Sequence, residues 1–315
     1  MASSNQSTFS FPSDDGTALW VHRWLPDGPP KAIVQIVHGM AEHGGRYGGL
    51  AEALCAAGYG AYAHDQRGHG RSVPEGEELG HMADSAGWDR GVSDIHLLNR
   101  HLAHEHGALP LLLLGHSMGS LMLQQVLAQH PEDGCGFALS GTSGSPPAIA
   151  TAGRLVARIE RARLGKRGKS GLLNALSFGD FNKAFRPTRT DFDWLSRDEA
   201  EVDAYIADPL CGVQVSTQCW VDLLDALPKL TTRANLARIP KQKPIFLMSG
   251  SRDPVGDMGK SVTQLMDAYR NAWLTDVEMK LYDDGRHEIL HETNHSEVTE
   301  RLVAWFDRVV EQTAE

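Results

Sequence analysis

The chain has 315 residues, of which 41% are hydrophobic and 22% charged, values ordinary for a globular protein with a sizeable core. Its formal net charge of −10 argues against a nucleic-acid partner, because neutralising phosphates needs a dominant basic surface. No apolar run approaches the ~18 residues of a membrane-spanning helix, and the N-terminal residues lack a secretory pattern. We therefore expect a cytoplasmic protein.

Strand-like and helix-like segments alternate along the first part of the chain. Strands are predicted over residues 17–25, 32–37, 59–64, 111–114 and 137–139. Helices are predicted between them, over residues 50–57, 86–106 and 120–130. Because strands that alternate with helices favour a mostly parallel sheet covered on both faces, we predict an α/β fold.

The alternation stops between residues 142 and 227, where the sequence is helical or loop-like. It resumes with strands predicted over residues 245–249 and 277–282 and helices over residues 258–270 and 296–312. An insertion explains this pattern better than two consecutive domains. We predict a core domain made of residues 1–141 and 228–315, with a helical cap over residues 142–227.

The sequence Gly115-His116-Ser117-Met118-Gly119 matches the G-x-S-x-G nucleophile elbow. It follows an apolar strand and precedes a helix, which is the context that this motif requires. The flanking glycines suit a sharp, crowded turn that lifts the serine hydroxyl to the N-terminus of the helix. Ser117 is therefore the predicted nucleophile.

A serine hydroxyl becomes a good nucleophile only when a base takes its proton, so a histidine and an orienting acid are needed downstream. Asp253 follows the predicted strand 245–249 and His287 follows the last predicted strand, in loops where an α/β sheet collects functional groups. We predict His287 as the base and Asp253 as the acid. Asp257 is the close rival for the acid.

The oxyanion of the transition state needs preorganised donors. One is predicted to be the backbone amide of Met118, the residue after the nucleophile. The second is expected from the loop after the strand 32–37, which reads His38-Gly39-Met40-Ala41-Glu42-His43. We predict the backbone amide of Met40 for this role.

Five motifs carry a family resemblance: HGMAEH (38–43), DQRGHGRS (65–72), GHSMG (115–119), SRDPVG (251–256) and GRHEILHE (285–292). With them the chain resembles the monoacylglycerol-lipase and lysophospholipase branch of the α/β-hydrolases, which is often grouped with serine aminopeptidases. The resemblance implies an enzyme without cofactor or metal, a helical cap that shapes an apolar acyl channel, and a triad of Ser117, Asp253 and His287. Monoacylglycerols or lysophospholipids are the expected substrates, and a broad short-chain carboxylesterase is the first alternative.

A second alternative comes from another class of enzyme. Residues His287-Glu288-Ile289-Leu290-His291 also spell H-E-x-x-H, the zinc-protease signature in which two histidines on one helical face bind the metal. The motif needs a well-formed helix, whereas Asp283-Asp284-Gly285 predicts a loop directly before His287. The serine mechanism is therefore the favoured interpretation.

One predicted cap helix is amphipathic and basic. Ala152, Leu155, Val156 and Ile159 share a face by their spacing, and Arg154, Arg158 and Arg161 occupy another. We expect the apolar face to pack on the main domain and the charged face to be solvated. A sharper hypothesis is that the arginines make a transient contact with an anionic lipid surface.

Overall fold

The computed structural model describes residues 5–107, 109–146 and 150–314. Eight strands form one sheet: β1 (Asn5–Pro12), β2 (Ala18–Leu25), β3 (Ala32–Val37), β4 (Tyr59–His64), β5 (Leu111–His116), β6 (Gly136–Ser140), β7 (Ile245–Gly250) and β8 (Val277–Tyr282). Their order across the sheet is β1-β2-β4-β3-β5-β6-β7-β8. The neighbouring strands from β4 to β8 pair in parallel, whereas β1 pairs antiparallel with β2, and β2 pairs antiparallel with β4.

Ten α-helices accompany the sheet in the described part of the chain. They are α1 (Gly48–Ala56), α2 (Gly87–His106), α3 (Met118–Gln129), α4 (Ala150–Leu164), α5 (Gly171–Phe178), α6 (Glu199–Ala207), α7 (Thr217–Leu230), α8 (Arg233–Leu236), α9 (Lys260–Asn271) and α10 (His295–Ala314). In β5, Leu113 packs in the apolar cluster that includes α2 and α3, while Leu112 and Leu114 pack on the opposite face with α1 and α10. Burial on both faces explains why the central strands are continuous apolar runs.

The predicted α/β architecture is confirmed, and each predicted strand lies within a few residues of an observed one. Strand β1 was not predicted. This strand is an edge strand with alternating exposed and half-buried residues, so its polar sequence NQSTFSFP carries little apolar signal. Phe9 and Phe11, its two aromatic residues, pack against the cluster around Tyr62.

The helices α4 to α7 lie between β6 and β7, where the sequence predicted an insertion. The predicted boundary at residue 227 falls inside α7, which continues to Leu230 with Pro228 in its last turn. Trp220 and Leu223 of α7 share one apolar cluster with Met122 of α3, so this helix joins the inserted region to the core. The division into a core and a cap domain stays a prediction. We call residues 191–212 the inner cap segment and α4 with α5 the outer cap helices.

The expected orientation of α4 is wrong. Leu155 and Ile159 of the predicted buried face are 61% and 56% exposed. The arginine face instead turns toward α7, where Arg154 and Arg158 both form ion pairs with Asp225. Because Asp225 on α7 binds Arg154 and Arg158, this face of α4 contacts the protein. Leu155 and Ile159 face solvent, while Val156 packs against the apolar cluster that includes α7.

None of the helices in the described ranges is long and apolar enough to cross a membrane.

Candidate active site

The backbone at Ser117 has the strained shape of a nucleophile elbow. Ser117 lies between β5 and α3 with φ 49° and ψ −120°, a region that residues with a Cβ rarely adopt. A Cβ added to Gly115 would lie 2.7 Å from the carbonyl oxygen of Gly119, and one added to Gly119 would collide with the carbonyl oxygen of Val37. Both glycines are therefore required for the chain to turn here.

Asp253 and His287 meet beyond the carboxyl ends of β7 and β8. The His287 Nδ1 donates to Asp253 Oδ1 at 3.0 Å, and the Asp253 carboxylate also accepts from the Val255 amide at 2.9 Å and the Ser249 hydroxyl at 3.1 Å. The rival acid, Asp257, keeps 70% of its side chain exposed and pairs with Lys260. The structure therefore brings Asp253, and not Asp257, to the histidine.

The surroundings of this pair set both pKa values. Burial alone would raise the pKa of Asp253, but the charge of His287 and hydrogen bonds to the carboxylate lower it below its usual value. Burial alone would likewise lower the pKa of His287, and the Asp253 carboxylate instead raises it. The pair therefore favours an ionised Asp253 that stabilises a protonated His287.

Two rings flank the His287 imidazole. The ring of Trp194, from the inner cap segment, has its centroid 5.2 Å away, and the ring of His116 lies 4.7 Å away. His116 directly precedes Ser117, so this contact places the elbow beside the Asp253–His287 pair. Ser117 itself is partly exposed, which leaves it open to a substrate.

The loop that carries Met40 lies against Ser117. A Cβ added to Gly39, the residue before Met40, would lie 3.1 Å from Ser117 Cβ. The Gly39 amide is engaged by the Glu42 carboxylate. Met118 is the first residue of α3, so its amide has no acceptor within the helix. The residue before Met40 and the first residue of α3 therefore both adjoin Ser117, and the oxyanion roles of the Met40 and Met118 amides stay predictions.

Known proteins resemble this chain over most of its length. Residues 28–294 match the family model described as serine aminopeptidase, S33. The chain belongs to this family of α/β-hydrolases.

Several proteins that resemble this chain are lipases or esterases. The chain is 29% identical to the monoacylglycerol lipase of Mycolicibacterium smegmatis, over 97% of this chain and 98% of that protein. It is 31% identical to the human monoglyceride lipase, over 88% of this chain and 82% of the human protein. Its fold superposes on a thermostable carboxyl esterase from Bacillus coagulans with a TM-score of 0.89, 25% identity and coverage of 98% and 99%. Together these relatives indicate an ester hydrolase.

A buried ion-pair cluster beside the site was missed by the sequence analysis. The Arg46 guanidinium donates to Glu42 at 2.7 Å and binds both oxygens of Glu288 at 2.8 and 2.7 Å. Glu42 also accepts from the Tyr47 hydroxyl at 3.0 Å. This cluster links the Met40 loop to the residue after His287. The i, i+4 spacing of Glu42 and Arg46 could have predicted their ion pair. Glu288 lies 242 residues away from Arg46, and no sequence pattern predicts that contact.

The H-E-x-x-H stretch does not form the helix that a zinc-protease site needs. Only Ile289–His291 is helical, as one 3₁₀ turn, and Glu288 is bound by Arg46. His287 Nδ1 is taken by Asp253, and His291 Nε2 donates to the carbonyl oxygen of Arg46 at 3.2 Å. The two histidines therefore point to separate partners rather than to one shared ligand.

Two other groups bring metal-binding side chains together in the described part of the chain: His22, His43 and Asp65, and His43, Asp208 and Cys211. His43 belongs to both groups. Its Nδ1 accepts from the Gly45 amide at 3.1 Å, so its Nε2 carries the proton and donates to Asp208 at 2.9 Å. Hydrogen bonds therefore occupy both nitrogens of the shared residue.

Proposed function

We propose that this protein hydrolyses lipid esters, with monoacylglycerols or lysophospholipids as substrates, through an acyl-enzyme on Ser117. The hydrogen bond between Asp253 and His287, formed beside a strained serine elbow, is the observation that carries the proposal. The lipid substrate class is favoured because the similar M. smegmatis and human proteins are monoacylglycerol or monoglyceride lipases.

In the first half of the reaction, His287 Nε2 takes the proton of the Ser117 hydroxyl as the oxygen attacks the ester carbonyl. Among the described residues no hydrogen bond joins this hydroxyl to His287, and such contacts often tighten only when the substrate binds. The Met40 and Met118 amides stabilise the developing oxyanion. The protonated His287 then gives its proton to the leaving alcohol.

In the second half, His287 removes a proton from water, which attacks the acyl-enzyme carbonyl and releases the fatty acid. Asp253 holds the imidazole with Nδ1 protonated throughout, so that Nε2 faces the reacting oxygen. The raised pKa of His287 suits both halves, because the group must accept a proton and later return it.

We also propose that the outer cap helices touch lipid surfaces, through their apolar side chains rather than their arginines. Five of the basic side chains in this region already form ion pairs, namely Arg154 and Arg158 with Asp225, Arg163 with Glu160, Arg167 with Glu77, and Lys169 with Glu78. By contrast Leu155, Ile159, Leu172 and Leu176 are 61%, 56%, 51% and 63% exposed. Apolar side chains exposed on neighbouring helices fit the interfacial region of a membrane. Co-sedimentation with vesicles measures this contact.

The test of the main proposal is hydrolysis of p-nitrophenyl esters and monoacylglycerols of increasing chain length by wild type and Ser117→Ala, with and without a chelator. We expect Ser117→Ala to lose at least ~10³-fold in kcat, because the nucleophile itself is removed. The chelator should have no effect. Activity that rises toward long acyl chains supports a lipase.

Other outcomes separate the alternatives. Activity that peaks at short chains and fails on monoacylglycerols would assign a broad carboxylesterase instead. Activity that survives Ser117→Ala but is lost with chelator would replace the serine mechanism by a metal site at His287 and His291.

The cytoplasmic location expected from the sequence remains a prediction.

A further inference from the structure

One carbonyl oxygen of the Met40 loop is held by the inner cap segment. Ala41 O accepts a hydrogen bond from the Tyr205 hydroxyl at 3.1 Å and another from the Gly212 amide at 2.9 Å. Ala41 has φ 58°, in the left-handed region that residues with a Cβ rarely adopt. The residue after Met40 thus keeps an unfavourable backbone shape, with two donors from the cap holding its carbonyl oxygen.

Tyr205 is itself fixed in place. Its side chain is buried, the Arg46 guanidinium lies 4.9 Å from its ring centroid, and the Phe192 ring packs 5.2 Å away. Arg46 is in turn anchored by Glu42 and Glu288. Because the ring is clamped by a cation and by an aromatic side chain, its hydroxyl has a defined position and can determine where the Ala41 carbonyl points.

A third contact connects the same two segments. His43 Nε2, at the end of the Met40 loop, donates to Asp208 Oδ2 at 2.9 Å, one residue beyond α6. The loop is therefore tied to the cap at Ala41 and at His43. A loop that supplies an oxyanion donor must keep its shape before the substrate arrives, because donors that reorganise during the reaction stabilise the transition state less.

We propose that Tyr205 is a positioning residue for ester hydrolysis. Its hydroxyl holds the Ala41 carbonyl, and through it the shape of the loop that presents the Met40 amide to the oxyanion. This inference rests on the proposed function of Met40 and Ser117. It makes the inner cap segment part of what shapes the oxyanion hole, so that displacement of the cap would also loosen the Met40 loop.

The test compares Tyr205→Phe with Tyr269→Phe. Phenylalanine keeps the aromatic ring at both positions and removes only the hydroxyl. The Tyr269 hydroxyl is buried in α9 and has no hydrogen-bond partner among the described residues, which makes it a matched control. For Tyr205→Phe we expect kcat to fall about three- to tenfold with KM changed less than about twofold, short of the ~10²–10³-fold cost of losing a whole oxyanion donor. Tyr269→Phe should leave both constants unchanged.

A trifluoromethyl ketone gives a second readout, because its adduct with the nucleophilic serine places a negative oxygen in the oxyanion hole. Its affinity should fall in Tyr205→Phe by the same factor as kcat/KM, since both report transition-state stabilisation. Equal kcat and equal ketone affinity in the two variants would overturn the proposal, as would a lower melting temperature of Tyr205→Phe with unchanged kcat. Ser117→Ala keeps the two hypotheses apart. If it is inactive while Tyr205→Phe is fully active, only the positioning role falls, and if it remains active, the proposed function falls as well.

Discussion

The inner cap segment and the outer cap helices both lie between β6 and β7 but have different surroundings. Inner cap residues contact both loops of the site. The Trp194 ring packs beside His287, the Leu195 carbonyl accepts from the Glu288 amide at 2.7 Å, and the Tyr205 hydroxyl donates to the Ala41 carbonyl. Outer cap residues contact α7 through ion pairs and expose leucines to solvent.

This difference separates two tasks that a cap can perform. A segment that contacts the proposed base and the oxyanion loop can affect the rate of the chemical step, because small displacements of reacting groups are costly. Helices with exposed apolar side chains and paired cations can affect how the protein meets its substrate. Their link to the proposed triad is indirect, through Phe178 at the end of α5, which packs on Trp194. Variants in the two parts should therefore fail in different assays.

The largest difference is expected in stability. Arg46→Ala leaves Glu42 and Glu288 buried without their cation, and breaking a buried pair in this way costs about 3–5 kcal/mol of unfolding free energy. The outer pair is the control: Arg158→Ala breaks a partly exposed contact with Asp225 and should cost less than ~1 kcal/mol. Chemical denaturation measures both. Equal losses in the two variants would contradict the contrast.

The pH dependence of Arg46→Ala sharpens that prediction. Burial alone would raise the pKa of Glu288, but the charge of Arg46 holds it well below its usual 4.5. The ionised Glu288 therefore stabilises the folded wild type above pH 4.5, and this contribution to the unfolding free energy is lost as the pH falls further. Without the charge of Arg46, burial becomes the main effect and raises the pKa of Glu288. The ionised carboxylate then destabilises the folded variant. The stability gap should therefore widen from pH 5 to pH 8. A constant gap would show that Glu288 is not the group affected.

Trp194→Leu should have the next largest effect. The ring of Trp194 covers one side of the His287 imidazole at 5.2 Å, and its loss lets the proposed base shift and take up water. We expect kcat to fall about tenfold, within the range known for small misplacements of reacting groups. Trp220→Leu is the matched control, because Trp220 of α7 is as buried as Trp194 and also packs against Phe178. It should lose stability similarly with a smaller loss of kcat. If both variants lose kcat equally, Trp194 has no special role.

The core of the fold and the residues of the candidate site could be predicted from local sequence signals. Ser117 has flanking glycines and lies between a strand and a helix, and Asp253 and His287 follow apolar strands. Short stretches of sequence were therefore enough to select these three residues. The contacts of the inner cap could not be predicted. Tyr205 reaches Ala41 across 164 positions of sequence, and no periodicity records such a pairing. The α4 prediction failed for a related reason, because amphipathic spacing shows that a helix has two faces, while a distant partner, Asp225, decided which face turned inward.

The smallest expected effect concerns the outer cap. Leu155→Asp combined with Leu176→Asp replaces two side chains that are 61% and 63% exposed, so the unfolding free energy should change by less than about 0.5 kcal/mol per site. Co-sedimentation with vesicles should fall about three- to tenfold, because apolar burial in the interface is lost. Hydrolysis of a water-soluble short ester should stay at the wild-type rate.

The arginine variant Arg154→Glu combined with Arg158→Glu provides the contrast, since these side chains are bound to Asp225. If the arginine variant abolishes vesicle binding while the leucine variant retains it, the contact is electrostatic. An outer cap that bound lipid through charge would leave the contacts of the inner cap with His287 and the Met40 loop unchanged. The contrast in rate effects would then survive, and the lipid surface would be assigned to the arginines.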